Sequence, residues 1–230
     1  MNIAEIRKRV DDLEKQGFIP SQRKGDTGIG FTLEKALSLK ENNIALPDFG
    51  SIELKSMRIG SNKVITLFTL NKTVWRQSTK DIIEKYGYWD SKKNRQSLYS
   101  SVRNQPNRQN LYIEISENQL QICHTSGDVV GTWEEGAVRD KIIEKLQALL
   151  LVKAETKIIQ GIEHFWFKDA KILTGCNYES FFNLLKNGKA FIDIRMHIKE
   201  NGAVRNRGTG FRLQSSLMEE LYTNTISLME

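Results

Sequence analysis

The sequence predicts an α/β (or α+β) fold with one central mixed β-sheet flanked by helices. Three observations lead there. Segments with helical apolar spacing and segments with period-two alternation are interspersed along all 230 residues. A hydrophobic fraction of 39% and a charged fraction of 27% suit a folded core better than a disordered chain. Proline is scarce, at 3 residues, and no internal repeat or low-complexity linker divides the chain. This length suits one large domain, residues 1–230, possible as two lobes.

The elements follow in order. MNIAEIRKRVDDLEKQG sets Ile3, Ile6, Val10 and Leu13 at helical spacing between charges. That is an amphipathic helix, not a signal peptide with a continuous apolar core. KGDTGIG (24–30) reads as a glycine-rich turn into a second helix, FTLEKALSL, with Leu33, Ala36 and Leu37 as its apolar stripe. PDFGSIELKSMR (47–58) is extended and half-buried, with Phe49, Ile52, Leu54 and Met57 interleaved with Asp48, Glu53 and Lys55. The polar turn RIGSNK and the strand VITLFTL complete a hairpin over about 44–70, with Gly60 in the turn.

Residues 72–110 are polar and basic and read as a long excursion off the core, of the kind that carries function. NLYIEIS, LQICHT and DVVGTW are short strands, AVRDKIIEKLQ (about 137–147) a helix, and ALLLVKAET and EHFWFKDAKIL strands. YESFFNLLKNG is a helix with Gly188 at its C-cap. KAFIDIRMHI is a strand, NGAVRNRGTG a basic loop, FRLQ a short strand and LMEELYTNTISLM a closing helix.

Several function classes recede at once. No stretch approaches the ~20 apolar residues that span a bilayer. The 2 cysteines, Cys123 and Cys176, form no CxxC pair, which argues against a zinc or disulfide framework and points to a reducing cytoplasm. GDTGIG has neither phosphate-loop spacing and follows polar residues instead of a strand. His124, His164 and His197 lie in separate strands without ligand spacing. The net charge of +6 favours a polyanion partner.

Asp48, Glu53 and Lys55 remain. Glu53 and Lys55 point to one face of a strand while Ile52 and Leu54 point to the other. Two nearby carboxylates repel unless a divalent cation sits between them, and Mg2+ takes a few carboxylates plus waters and phosphate oxygens. A lysine one pleat away can hold an attacking water. These are the parts of metal-assisted phosphodiester hydrolysis. The same residues also fit a solvated E-x-K pair, worth a few tenths of a kcal/mol. Glu34, on the preceding helix, is placed to add a third carboxylate. Residues 72–110 and the loop NGAVRNRG concentrate Arg, Asn and Gln, which hydrogen-bond phosphates and purine edges.

KGDTGIGFTLE, ENNIALPDFGSIELKSMR and ITLFT, followed by LLVKAETKI, EHFWFKDAKILTG, FIDIR and RGTGFRL, resemble in order the restriction endonucleases of the MvaI/BcnI family. That family is a branch of the PD-(D/E)xK nucleases. A more distant likeness is to the mismatch-repair nickase MutH, through the helix Glu, the Asp and the ELK arrangement. The resemblance implies a restriction-endonuclease-like fold with a DNA-binding cleft. It also implies Mg2+-dependent cleavage of double-stranded DNA at a short CCNGG-type sequence. The agent would be a monomer cutting one strand at a time, in a prokaryotic cytoplasm beside a cognate DNA methyltransferase.

Carried over, Asp48 and Glu53 become metal ligands, Lys55 the water-positioning group and Glu34 an accessory acid. Arg195 in FIDIR and Arg212 in GTGFR become guanine readers, since an Arg fork fits guanine O6 and N7. The recognition elements fall at about 72–110 and 189–213. Two departures bear on the central base pair. Relatives carry His-Asp-x-Gly where this chain has Arg205, Asn206, Arg207 and Gly208, and BcnI-type enzymes have a histidine where Thr69 stands. Three alternatives stay open: a MutH-like nicking enzyme, a DNA-binding module with a silent acidic site, and all four arginines acting as phosphate clamps.

Overall fold

The computed structural model describes residues 2–38, 43–46, 50–71 and 74–229, with the backbone alone for 43–46, 50 and 51. In chain order the chain forms α1 (Ile3–Glu14), β1 (Ile19–Pro20), α2 (Gly28–Ala36), β2 (Asn43–Leu46), β3 (Gly50–Arg58) and β4 (Val64–Thr69). Then come α3 (Thr79–Tyr86), β5 (Tyr88–Asp90), β6 (Arg95–Val102), β7 (Leu111–Ile115), β8 (Gln119–His124), β9 (Val129–Glu134) and α4 (Glu135–Leu146). The rest is β10 (Ala148–Ile159), β11 (Ile162–Cys176), α5 (Tyr178–Lys186), β12 (Ala190–Ile198), β13 (Val204–Asn206), β14 (Gly210–Gln214) and β15 (Tyr222–Ser227), with 3-10 turns over Ser215–Leu217 and Glu219–Leu221.

The chain folds into two compact units, one of Met1–Lys63, Glu144–Asn177 and Ser215–Glu230, the other of Val64–Ile143 and Tyr178–Gln214. The first holds a mixed sheet in the order β1-β11-β10-β3-β2, with β15 also on β11. β10 runs parallel to β3 and antiparallel to β11. Its run ALLLV is apolar without alternation, and Leu149, Leu150 and Leu151 are each fully buried, as expected of a strand covered on both faces. One core joins Ile6, Val10 and Leu13 of α1 and Leu33 of α2 to Ile52 and Leu54 of β3, Phe165 and Phe167 of β11, and Leu228. α1 starts on a capping box, with Asn2 Oδ1 accepting from Glu5 N–H and the Glu5 carboxylate accepting from Asn2 N–H. A Cβ at Gly28 would collide with the Arg23 carbonyl and the Ser21 hydroxyl, so glycine is required where α2 begins.

The second unit holds the antiparallel sheet β4-β14-β12-β6-β5, with β13 on β12, and a three-stranded meander β7-β8-β9. Its core gathers aromatic rings. Phe211 stacks on Phe68 at 4.7 Å, and Trp133 meets Phe211 edge-on at 5.7 Å.

The mixed α/β class stands, with corrections to its plan. Among the described residues there is not one central sheet but two larger sheets and a small one. β3 and β4 are strands and Gly60 turns between them at φ 72, yet they form no hairpin: β3 pairs with β10 and β2, while β4 pairs with β14. The consecutive strands that pair antiparallel are β2 and β3 instead. The excursion at 72–110 contributes α3, β5 and β6, and β6 is an inner strand. Its buried positions include Ser97 on one face and Ser100 on the other, small polar residues that hide the alternation. The basic loop holds β13, paired to β12. The tail is not a helix. β-branched residues in YTNTIS pair with the open edge of β11, and Arg7 donates to the carbonyls of Ser227 and Leu228 at 3.0 and 3.2 Å.

Candidate nuclease site and recognition face

In the first unit, strand alternation puts Glu53 and Lys55 on one face of β3. Lys55 Nζ donates to Glu53 Oε1 at 2.8 Å, with the two side chains 23% and 17% exposed. Ile52 and Leu54 point the opposite way, into the core beneath α1 and α2. In register beside Glu53 and Lys55 on β10 lie Leu149 and Leu151, both buried. The ion pair therefore rests on an apolar floor that strengthens its attraction relative to open water. Arg58 fixes the end of the strand through a two-pronged pair with Glu163, Nε to Oε1 at 2.7 Å and Nη2 to Oε2 at 2.8 Å. That pairing pulls the Glu163 carboxyl below its usual range.

Asp48 lies outside the described residues. Glu34 is half-buried on α2, the helix that covers the Ile52 and Leu54 face. No hydrogen bond or ion pair among the described residues joins it to Glu53 or Lys55. One residue that sequence reasoning missed adjoins this face. The Tyr222 hydroxyl is buried without a hydrogen-bond partner among the described residues, and burial, with Cys176 and Glu53 adding to it, pushes its pKa well up. Among the described residues no group of three His, Cys, Asp or Glu side chains could hold a metal ion.

In the second unit, one face of β6, β12 and β14 is polar. FIDIR puts Ile192 and Ile194 into the core and Asp193 and Arg195 on the other side. Asp193 is the hub. Its Oδ2 accepts from Arg212 Nη1 at 2.7 Å, and its Oδ1 from Ser101 Oγ at 3.1 Å. Arg195 Nε is 3.4 Å from the same Oδ2, an ion pair without hydrogen-bond alignment. The structure thus brings Arg195 and Arg212 together.

Next along the face, Tyr99, opposite Arg195, bonds through its hydroxyl to His197 Nδ1 at 3.1 Å. Burial, then the charges of Arg95, Arg207, Arg205 and Lys199, lower the His197 pKa. Arg205 is exposed and pairs in register with His197, and the exposed Arg207 donates its backbone N–H to the Arg195 carbonyl at 2.9 Å. Thr69 is exposed and lies opposite Gly210 on β14. Sequence reasoning also missed Asp193, Tyr99 and His197. The signal was there for Asp193, since period-two alternation places it beside Arg195.

A model of the MvaI/BcnI restriction endonuclease family matches residues 7–222. The chain belongs to that family. It is thereby a restriction endonuclease, a DNA nuclease, by descent. Among solved structures, the complex of restriction endonuclease MvaI with its cognate DNA substrate is similar at 24% identity and a TM-score of 0.78, over 99% of this chain and 98% of that one. Restriction endonuclease MvaI in the absence of DNA is similar at 24% identity and a TM-score of 0.57, over 98% of this chain and 97% of that one. At this identity the likeness shows the fold of the MvaI/BcnI member described here. A comparison with curated protein sequences gives no match. Among the described residues no helix is long and apolar enough to cross a membrane.

Proposed function

We propose that this MvaI/BcnI family member hydrolyses phosphodiester bonds of double-stranded DNA at a short CCNGG-type site, using Mg2+ held by Asp48 and Glu53. The observation that carries the reading is the Glu53–Lys55 pair, 2.8 Å apart on one half-buried face of β3. Lys55 occupies Oε1 of Glu53, leaving Oε2 for a hard cation. A donor set of few carboxylates suits Mg2+, which retains waters, better than Zn2+, which wants several N or S ligands. The chemistry that Mg2+ supplies when bound is polarisation of the phosphate and easier deprotonation of a water.

The chain's own residues do the rest. Lys55 holds the attacking water in line and balances charge, and Glu34 serves as an accessory acid on the supporting helix. Arg195 and Arg212, oriented by Asp193, read guanines through their forks. Arg205, Arg207 and Thr69 contact the DNA around them. The protein acts as a monomer that cuts one strand at a time, beside a methyltransferase that protects host sites.

The test is to incubate the full chain with a genome of known sequence and Mg2+, and to read the fragment ends. A shared short sequence at the ends, lost when EDTA replaces Mg2+, is the expected result. Intact DNA, or cleavage that persists in EDTA, would overturn the reading. Binding without cleavage would favour the silent DNA-binding module.

A further inference from the structure

The polar face of the second unit continues past the guanine-reading arginines into an open basin of about 450 Å³ lined by Lys93, Asn94, Arg95, His197, Lys199 and Glu200, among others. Three features set it apart from an ordinary solvated surface. The Tyr99 hydroxyl bonds His197 Nδ1, which fixes the ring at the basin wall. Arg95 has a buried Nε with no hydrogen-bond partner among the described residues. Cations outnumber acids, for Arg205 and Arg207 also act on His197, while the acids close by are Glu200 in the lining and Asp90, 4.0 Å from Lys93.

The spacing is informative. A strand advances about 3.3 Å per residue, so Lys199 stands about 13 Å beyond Arg195. A major groove about 12 Å wide and about 8.5 Å deep sets the backbone phosphates about 10 Å from the middle of its floor, a separation that a lysine side chain at this spacing can match. Arg95, its guanidinium 5.8 Å from the centroid of the Tyr99 ring, adds a third cation to the basin wall beside two exposed lysines.

We propose that the basin bounded by Lys93, Arg95, His197 and Lys199 seats a DNA backbone phosphate that flanks the recognised bases. The seat rests on the reading that this face receives DNA. It makes a different claim from base recognition, because its contribution is indifferent to sequence.

Single methylphosphonates, which are uncharged, placed one at a time along both strands of a duplex carrying the cut sequence test this by binding anisotropy in EDTA. In the wild-type protein, one or two positions outside the recognised bases should weaken binding about three- to fivefold, the share of one phosphate contact. In Lys93→Gln/Lys199→Gln and in Arg95→Gln, that penalty should vanish while penalties elsewhere persist. Both lysines are exposed, so the double variant keeps its fold. Identical penalties in wild type and variants at every position would overturn the seat and leave the nuclease reading standing. No binding of any duplex by the wild type would overturn both.

Discussion

Arg212 Nη1 lies 2.7 Å from Asp193 Oδ2, the same oxygen that faces Arg195 Nε at 3.4 Å. One buried carboxylate thus orients both guanidinium groups before any ligand arrives. An arginine held this way loses less side-chain freedom on binding than a free one.

Arg212→Ala should reduce affinity for the cognate duplex by ~1–3 kcal/mol with little loss on random DNA. Arg212→Lys keeps a cation beside Asp193 but loses the fork, so it should show the same collapse of the cognate-to-random ratio. Titrations at fixed salt measure it. Parallel losses on both DNAs would mark the arginine as a phosphate clamp.

Glu53→Ala and Lys55→Ala should each remove most cleavage while cognate binding stays measurable, since in the proposed mechanism each side chain acts mainly on the transition state. Single-turnover cleavage with Mg2+ and anisotropy without it separate the two quantities. A variant that still cuts at near wild-type rate would remove its residue from the site.

The proposed monomer, with one Glu53–Lys55 pair, should cut the strands in separate events, so that open circles accumulate before linear DNA on supercoiled plasmid. Early time points on a gel decide it. Linear product first, with a rate rising as the square of enzyme concentration, would indicate a dimer.

His197 gives a pH-dependent prediction. Its folded pKa lies below the usual 6.5 because of burial and the nearby cations. The unfolded chain therefore takes up the proton more readily, and stability falls as pH drops from above 6.5 through the folded pKa. Urea midpoints between pH 7.5 and 5 should fall less steeply for His197→Asn, which keeps an acceptor for Tyr99. Equal slopes would mean that His197 does not contribute.

The sequence was most legible where one periodicity prevails. α1, the three strands β7, β8 and β9, α5 and β12 were all foreseen, because each buries one apolar stripe or alternating face. β6 escaped notice because serine fills buried positions there. β15 escaped because LMEELYTN has helical spacing, and only the open edge of β11 makes a strand the better solution. Glu53 and Lys55 were legible as a pair for the simplest reason, a spacing of two in a strand. Partnership across strands, as between Ser101, Asp193 and Arg212, depends on register, which no local pattern specifies.

Arg7 grips the backbone at Ser227 and Leu228, and Ile6 shares its core with Leu228 and Met229. Helix α1 thus waits for a segment 221 residues further along the sequence. A ribosome releases residues in order, so the packing behind Ile52 and Leu54 stays open at one side until Leu228 and Met229 have been made. A nascent chain truncated by a stalled ribosome or a premature stop would lack that closure. For a DNA nuclease, incompletely made copies are thereby the least able to hold β3 in place.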